Sequence, residues 1–232
     1  MAPSVSVVVP MYNEEPYVER AVSAARDVLQ AMGADWEVIV VDDASSDRTG
    51  AIAEELARAD PRVTVVHNLA NRQLGGSLRA GWARATKDLV LYTDADLPAD
   101  LALLPRAIHL LEYQQADVLA AYRFDRTGEG LRRAALAAAY NLIVRVAFDL
   151  PVRDVNFAFK LFRRSLLERI RLTSEGSFID AELLLRARAV GAHVVQMGVD
   201  YFPRRHGPSK LSSPAVVAGI LREMARYWSE RR

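Results

Sequence analysis

The sequence predicts an α/β fold in which a mostly parallel sheet is covered by helices on both faces, and three observations carry that prediction. Short β-prone runs alternate with longer stretches in which apolar residues recur at helical spacing. The runs are apolar on both faces, as strands must be when helices bury both sides. Polar clusters then fall just beyond the runs, at the carboxyl ends of strands, where open α/β sheets bind ligands.

Taken in order, Ser4–Pro10 reads as the first strand and Glu15 to Met32 as a helix. Glu37–Val41 is the second strand, ending in Asp42-Asp43, and Asp47–Ala59 is a helix that Ser45 or Ser46 would cap. Val63–Val66, a helix over Leu74–Ala85 and the strand Leu89–Thr93 follow. The pair Gly75-Gly76 permits close backbone approach, which suits either a ligand phosphate or a neighbouring strand. Ala99–Gln114 is read as a helix, Val118–Tyr122 as a strand closed by Arg123, and Phe124–Arg133 as a mobile loop. Ala134–Phe148 is an apolar helix bearing Tyr140, Asn141 and Arg145, which suits either the core or an interfacial position against a bilayer or lipid chain. Alternation of Phe157, Phe159 and Leu161 against Ala158, Lys160 and Phe162 reads as a partly buried strand. Residues 1–212 are expected to form one domain, and 213–232 a terminal amphipathic helix with Val216, Val217, Ile220, Leu221 and Met224 on one face. That helix has three uses open to it: packing on the sheet, touching lipid, or docking a membrane subunit.

Composition narrows the function. With 232 residues, 51% of them hydrophobic, the chain can bury a substantial core. A net charge of +1 gives no general attraction to nucleic acid, so any anion-binding surface is local. The absence of cysteine excludes disulfides, thiolate zinc sites and a cysteine nucleophile, and fits a reducing cytoplasm. Val5–Val9, followed by Pro10, is too short for a signal peptide, and Asn141 and Arg145 interrupt the most apolar stretch. The expectation is a cytoplasmic protein, peripheral on the inner face of a membrane, that does not cross it unaided.

The chemistry centres on Asp94-Ala95-Asp96. In a strand, residues i and i+2 point to one side, so both carboxylates can address a single point. Two bare anions there repel, whereas a hard cation such as Mg2+ or Mn2+ between them and a substrate's phosphates relieves the repulsion. The other reading is two solvated aspartates on a polar loop.

Val8-Val9-Pro10 with Tyr12-Asn13-Glu14, then Asp42-Asp43-Ala44-Ser45-Ser46-Asp47-Arg48-Thr49, then Asn71, Gly75-Gly76 and Gly81, then Asp94-Ala95-Asp96, resemble the motifs of family 2 glycosyltransferases of the GT-A fold. The resemblance implies a GDP- or UDP-linked sugar donor bound by the first hundred residues and an acceptor bound by 101–212. Pro10, Tyr12, Asn13, Glu14 and Asp42 would line the nucleotide pocket with Asp43 behind, while Asp94, Ala95 and Asp96 meet the diphosphate and metal. Asp42-Asp43-Ala44-Ser45-Ser46-Asp47 also suits a helix-capping turn, and Glu14 a first-turn acid.

Asp154–Arg164 resembles a segment of dolichyl-phosphate mannose synthases and related polyprenyl-phosphate glycosyltransferases, with Ala158 where those carry glycine. Arg204-Arg205-His206-Gly207-Pro208-Ser209-Lys210 is similar to another of their segments. This implies a polyprenyl phosphate acceptor, with Arg123, Lys160, Arg204, Ser209 and Lys210 at its phosphate and Arg204 and Lys210 stabilising the departing diphosphate. His206 would join them; His67, His109 and His193 read as structural or solvated. Pro98 stands where the subgroup has glutamine, so sugar identity does not carry over.

A phosphate acceptor is already ionised and needs positioning, whereas a hydroxyl acceptor needs a base. Asp180 and Glu182 occupy the region where the wider family carries its acidic catalytic residue, and both also suit a helix N-terminus. The alternatives are a transferase for a soluble hydroxyl acceptor, a non-catalytic nucleotide-sugar-binding subunit and, more distantly, a nucleotidyltransferase.

Overall fold

A computed structural model describes residues 3–125, 131–203 and 214–230. Its strands are β1 Ser4–Met11, β2 Asp35–Asp42, β3 Val63–His67, β4 Leu89–Thr93, β5 Val118–Arg123, β6 Phe159–Arg163 and β7 Val194–Val199. The helices are α1 Val18–Ala31, α2 Thr49–Ala59, α3 Gln73–Arg84, α4 Leu104–Tyr113, α5 Leu131–Phe148, α6 Ser165–Arg169, α7 Ile179–Ala189 and α8 Pro214–Glu230.

All the strands join one sheet in the order β3-β2-β1-β4-β6-β5-β7. The sheet is parallel except for β6, which runs antiparallel to both β4 and β5. Alternation along each strand sorts residues into two cores. Val5, Val7 and Val9, with Val38, Val40 and Leu91, pack beneath α1 and α4. Val8, Ile39, Val41, Val90 and Tyr92 face the opposite layer with α3, α7 and α8. In β6, Phe159 and Leu161 enter the first core while Phe162 enters the second, so the predicted alternation is present. The strand is buried on both faces rather than partly, because helices cover each side.

Several boundaries differ from the sequence reading for local reasons. Pro16 and Pro105 sit near helix starts; Glu15–Tyr17 and Leu101–Leu103 form 3-10 turns ahead of α1 and α4, and Asp100 accepts from Ala102 N at 2.9 Å. Helix α5 begins at Leu131, inside the expected loop, and 126–130 lie outside the described residues. Neither Ser45 nor Ser46 caps α2; Asp47 Oδ1 accepts from Thr49 N at 3.0 Å instead. Gly75 and Gly76 serve packing: both amides donate to Glu175 O, at 2.7 and 3.1 Å, and a Cβ on Gly75 would lie 2.9 Å from the Glu175 carbonyl carbon. Helix α8 packs Ile220, Met224 and Tyr227 into the second core. No described helix is long and apolar enough to cross a membrane.

Candidate active site

The ends of β1, β2 and β4 carry the expected polar clusters to one side of the sheet, and hydrogen bonds tie the loops after β1 and β2 together. Pro10, Tyr12, Asn13, Glu14, Asp42 and Asp43 are not among the residues that line the pocket at Asp94 and Asp96. After β1, Asn13 adopts a left-handed φ of 52°, a conformation asparagine tolerates. Its Oδ1 accepts from Ser46 N at 2.8 Å, and its own N–H donates to Ser45 Oγ at 3.0 Å. Glu14 N donates to Thr49 Oγ1 at 2.8 Å. The segments after β1 and β2 are thereby zipped into one surface, which is the use the structure makes of the two serines. Pro10 lies within β1, paired with Val41, and Tyr12 is partly exposed beyond it.

Asp42 and Asp43 diverge. Asp42 Oδ1 accepts from Ser45 N at 3.1 Å and its Oδ2 meets His67 Nδ1 at 3.0 Å. Asp43 Oδ1 accepts from Asn68 Nδ2 at 2.7 Å and Arg72 N at 2.8 Å, so it orders the loop entering α3.

Asp94 and Asp96 line one pocket, by a different route from the one expected. Strand β4 stops at Thr93, and Leu97 N donates to Asp94 O at 3.1 Å, closing a turn with Leu97 at φ 52°. A turn, rather than the shared face of a strand, brings the two carboxylates together, with Ala95 buried between them. Tyr92 OH donates to Asp94 Oδ1 at 3.1 Å. Burial above all, then the neighbouring Asp96 and Asp180, pushes the Asp94 pKa up to about 7. This electrostatic cost is what a cation would remove, so the pair fits a hard divalent ion. Among the described residues no three His, Cys, Asp or Glu side chains converge into a metal-holding group.

The same pocket, about 280 Å³, has a second, apolar wall. Leu136 and Ile143 of α5 face it with Val217 and Leu221 of α8, while Arg123 and Asp154 lie at its polar end. Arg123 Nε and Nη2 donate to the two Asp154 oxygens at 2.7 and 2.9 Å, a bidentate pair. Asn141 ties α5 to this floor by accepting from Val155 N at 2.9 Å.

Lys160 is placed elsewhere than the sequence reading put it, and the two candidate bases are in the first turn of α7, buried and engaged with other partners. Lys160, expected at the acceptor phosphate, has no exposed surface, and its Nζ donates to Asp180 Oδ1 at 2.5 Å and Phe157 O at 2.8 Å. The cause is register: Lys160 is paired with Tyr92 and shares the face of β6 that meets α7. Asp180 is sealed in that ion pair, with burial raising its pKa and Lys160 lowering it. Glu182 accepts from the Thr173 and Ser174 amides, at 3.0 and 2.8 Å, and so orders the segment ahead of α7. Arg204, Ser209 and Lys210, with His206, lie outside the described residues.

The sequence reading assigns no role to Tyr92, which donates to Asp94, or to His67, which meets Asp42, and it places Asp154 only at the start of a family-like segment. His67 is the register partner of Asp42, a signal available from aligning the strand ends.

A family model described as "Glycosyl transferase family 2" matches residues 6–171. The chain belongs to glycosyltransferase family 2. This family 2 chain is 32% identical to "Glycosyltransferase AglD" of Haloferax volcanii over 231 residues, 97% of the chain and 37% of the relative. It is 31% identical to the undecaprenyl-phosphate 4-deoxy-4-formamido-L-arabinose transferase of Pectobacterium carotovorum, covering 90% of the chain and 63% of that protein. The chain thus spans about two fifths and three fifths of these two relatives' lengths. Among solved structures, glucosyl-3-phosphoglycerate synthase of Mycobacterium tuberculosis, crystallised with Mn2+ and UDP-glucose, superposes with a TM-score of 0.71 at 22% identity, covering 98% of this chain and 78% of that one. The mannosyltransferase PcManGT of Pyrobaculum calidifontis, with GDP-Man and Mn2+, gives 0.63 at 23%, covering 97% and 65%. The family 2 chain therefore has the GT-A architecture that the sequence predicted.

Proposed function

We propose that this family 2 chain is an inverting glycosyltransferase that moves one hexose from a GDP- or UDP-linked sugar to a polyprenyl phosphate. The observation that carries the reading is the pocket itself: Asp94 and Asp96 at one end, and a groove between α5 and α8 at the other, lined by Leu136, Ile143, Val217 and Leu221. A substrate that is anionic at its head and hydrocarbon along its tail matches both walls. The named activity of the Pectobacterium relative, transfer to undecaprenyl phosphate, supports it.

In this reading Pro10, Tyr12, Asn13, Glu14 and Asp42 receive the nucleotide, and Asp43 holds their loop. Asp94 and Asp96 hold Mg2+ or Mn2+, which when bound stabilises negative charge developing on the departing diphosphate. Arg204, Ser209 and Lys210 address phosphate, and Arg123, held by Asp154, borders the acceptor. A phosphate oxygen forms the new bond to the anomeric carbon as the bond to the nucleoside diphosphate breaks. No proton has to be removed, which suits an Asp180 committed to Lys160. Leu142 and Val146 of α5 and Val217, Leu221 and Trp228 of α8 are exposed apolar side chains, suited to contact with a bilayer surface or a membrane subunit.

The test is a screen of purified protein with Mg2+ or Mn2+ and UDP- and GDP-hexoses against polyprenyl phosphate, the corresponding polyprenol and 3-phosphoglycerate. Labelled sugar is expected on polyprenyl phosphate alone. Transfer confined to the alcohol or the soluble acceptor overturns the reading.

A further inference from the structure

His67 closes β3 beside Asp42, its register partner on the adjacent parallel strand. The imidazole is held on both sides: Nδ1 lies 3.0 Å from Asp42 Oδ2, and Nε2 lies 2.9 Å from Glu54 Oε1 on α2. We propose that His67 is a positioning residue for nucleotide recognition: as an imidazolium bridging Asp42 and Glu54, it fixes the Asp42 carboxylate in the orientation that receives the nucleotide. This rests on the reading of Asp42 as a nucleotide ligand.

The valence of imidazole supplies the reason. A neutral ring has one N–H and one lone pair, so between two carboxylates one contact would set a lone pair against an oxygen. Only the doubly protonated ring donates to both. The charged groups facing it are Asp42 from β2 and Glu54 from α2, both anionic. The hydrogen bond donated to Glu54 and then that donated to Asp42 hold its pKa above the ordinary histidine value, against partial burial.

Gly50, in the first turn of α2, completes the arrangement. A Cβ there would lie 2.6 Å from Asp42 Oδ2 and 3.2 Å from His67 Cε1. Two strand ends and a helix turn are therefore shaped around one carboxylate oxygen, a fit that a histidine merely exposed to solvent does not need. The other Asp42 oxygen is fixed by Ser45 N, so the carboxylate is oriented from both ends.

The experiment is calorimetric titration of the full chain with UDP and with GDP, in the presence of Mn2+, for wild type and H67Q. The glutamine side chain keeps a donor for Asp42 but cannot take up a charge. The Kd ratio of H67Q to wild type is expected to be about tenfold near pH 6, the worth of one charge-assisted hydrogen bond, and to fall toward one by about pH 9 as the wild-type ring loses its proton. Titration of Asp94 is common to both proteins and cancels in the ratio. G50A, whose Cβ would crowd Asp42 Oδ2 most and His67 Cε1 less, is expected to weaken nucleotide binding near pH 6 as well. A ratio that stays at one, or stays constant across the range, overturns the role of His67 while leaving the donor reading intact. Wild-type protein that binds neither nucleotide at any pH overturns the donor reading, and this inference with it.

Discussion

Asp94 is under two opposed demands. The turn after β4 buries it next to Asp96, which favours the neutral acid, while the proposed role at a metal requires the carboxylate. A carboxyl whose pKa rises on folding stabilises the protein while protonated, and that contribution is lost as pH rises through the folded value, here about 7. Metal-free protein should therefore melt roughly 3 °C lower at about pH 8 than at about pH 6, about 1.4 kcal/mol in a chain of this size. D94N should lose that decline and abolish transfer, because the amide neither titrates nor holds the cation well. Thermal melts of metal-free wild type and D94N across this range check it; an unchanged pH dependence in the variant refutes it.

At the scale of elements, the Lys160–Asp180 pair joins β6 to α7, with Lys160 Nζ 5.6 Å from the centre of the Tyr92 ring. Removing one partner of a buried ion pair leaves an uncompensated charge and typically costs about 3–5 kcal/mol. K160M is expected to lower stability by that order in urea denaturation. D180N retains a carbonyl for Lys160 and should cost less. Were Asp180 a general base, its loss would reduce kcat by about 10²–10⁴; with a phosphate acceptor, D180N is expected to lose less than about tenfold at a temperature where it stays folded. Gly75 tests the other junction. The obstacle to a Cβ there is backbone of Ser174 and Glu175, which cannot swing aside as a side chain can, so G75A should destabilise by about 1–3 kcal/mol.

For the molecule as a whole, the distribution of exposed apolar residues is uneven. Leu142 and Val146 of α5 are 59% and 74% exposed, and Trp228 of α8 is 43% exposed. These residues lie on the two helices that line the apolar wall of the pocket, so a bilayer touching them would deliver a lipid tail to that wall. The double variant L142E/V146E is expected to reduce sedimentation with polyprenyl-phosphate vesicles by at least about tenfold, since each change replaces apolar contact with a charge that resists leaving water. UDP and GDP affinity should stay as in wild type. Vesicle binding that survives both substitutions removes this face from consideration.

The sequence by itself determined the alternation of strands and helices, and with it the side of the sheet on which Asn13, Asp42 and Asp94 emerge, because hydrophobic period and strand direction are local properties. The family was legible for the same reason: its motifs are short and lie at strand ends. Only the tertiary structure decided what those residues touch. Lys160 and Asp180 are twenty positions apart, and their burial as a pair depends on the antiparallel register of β6 against β4. Level strand ends hint at Asp42 beside His67, but Glu54 joins them only because α2 crosses beside those ends. Contacts of that kind are set by packing between distant segments, which a one-dimensional pattern does not encode.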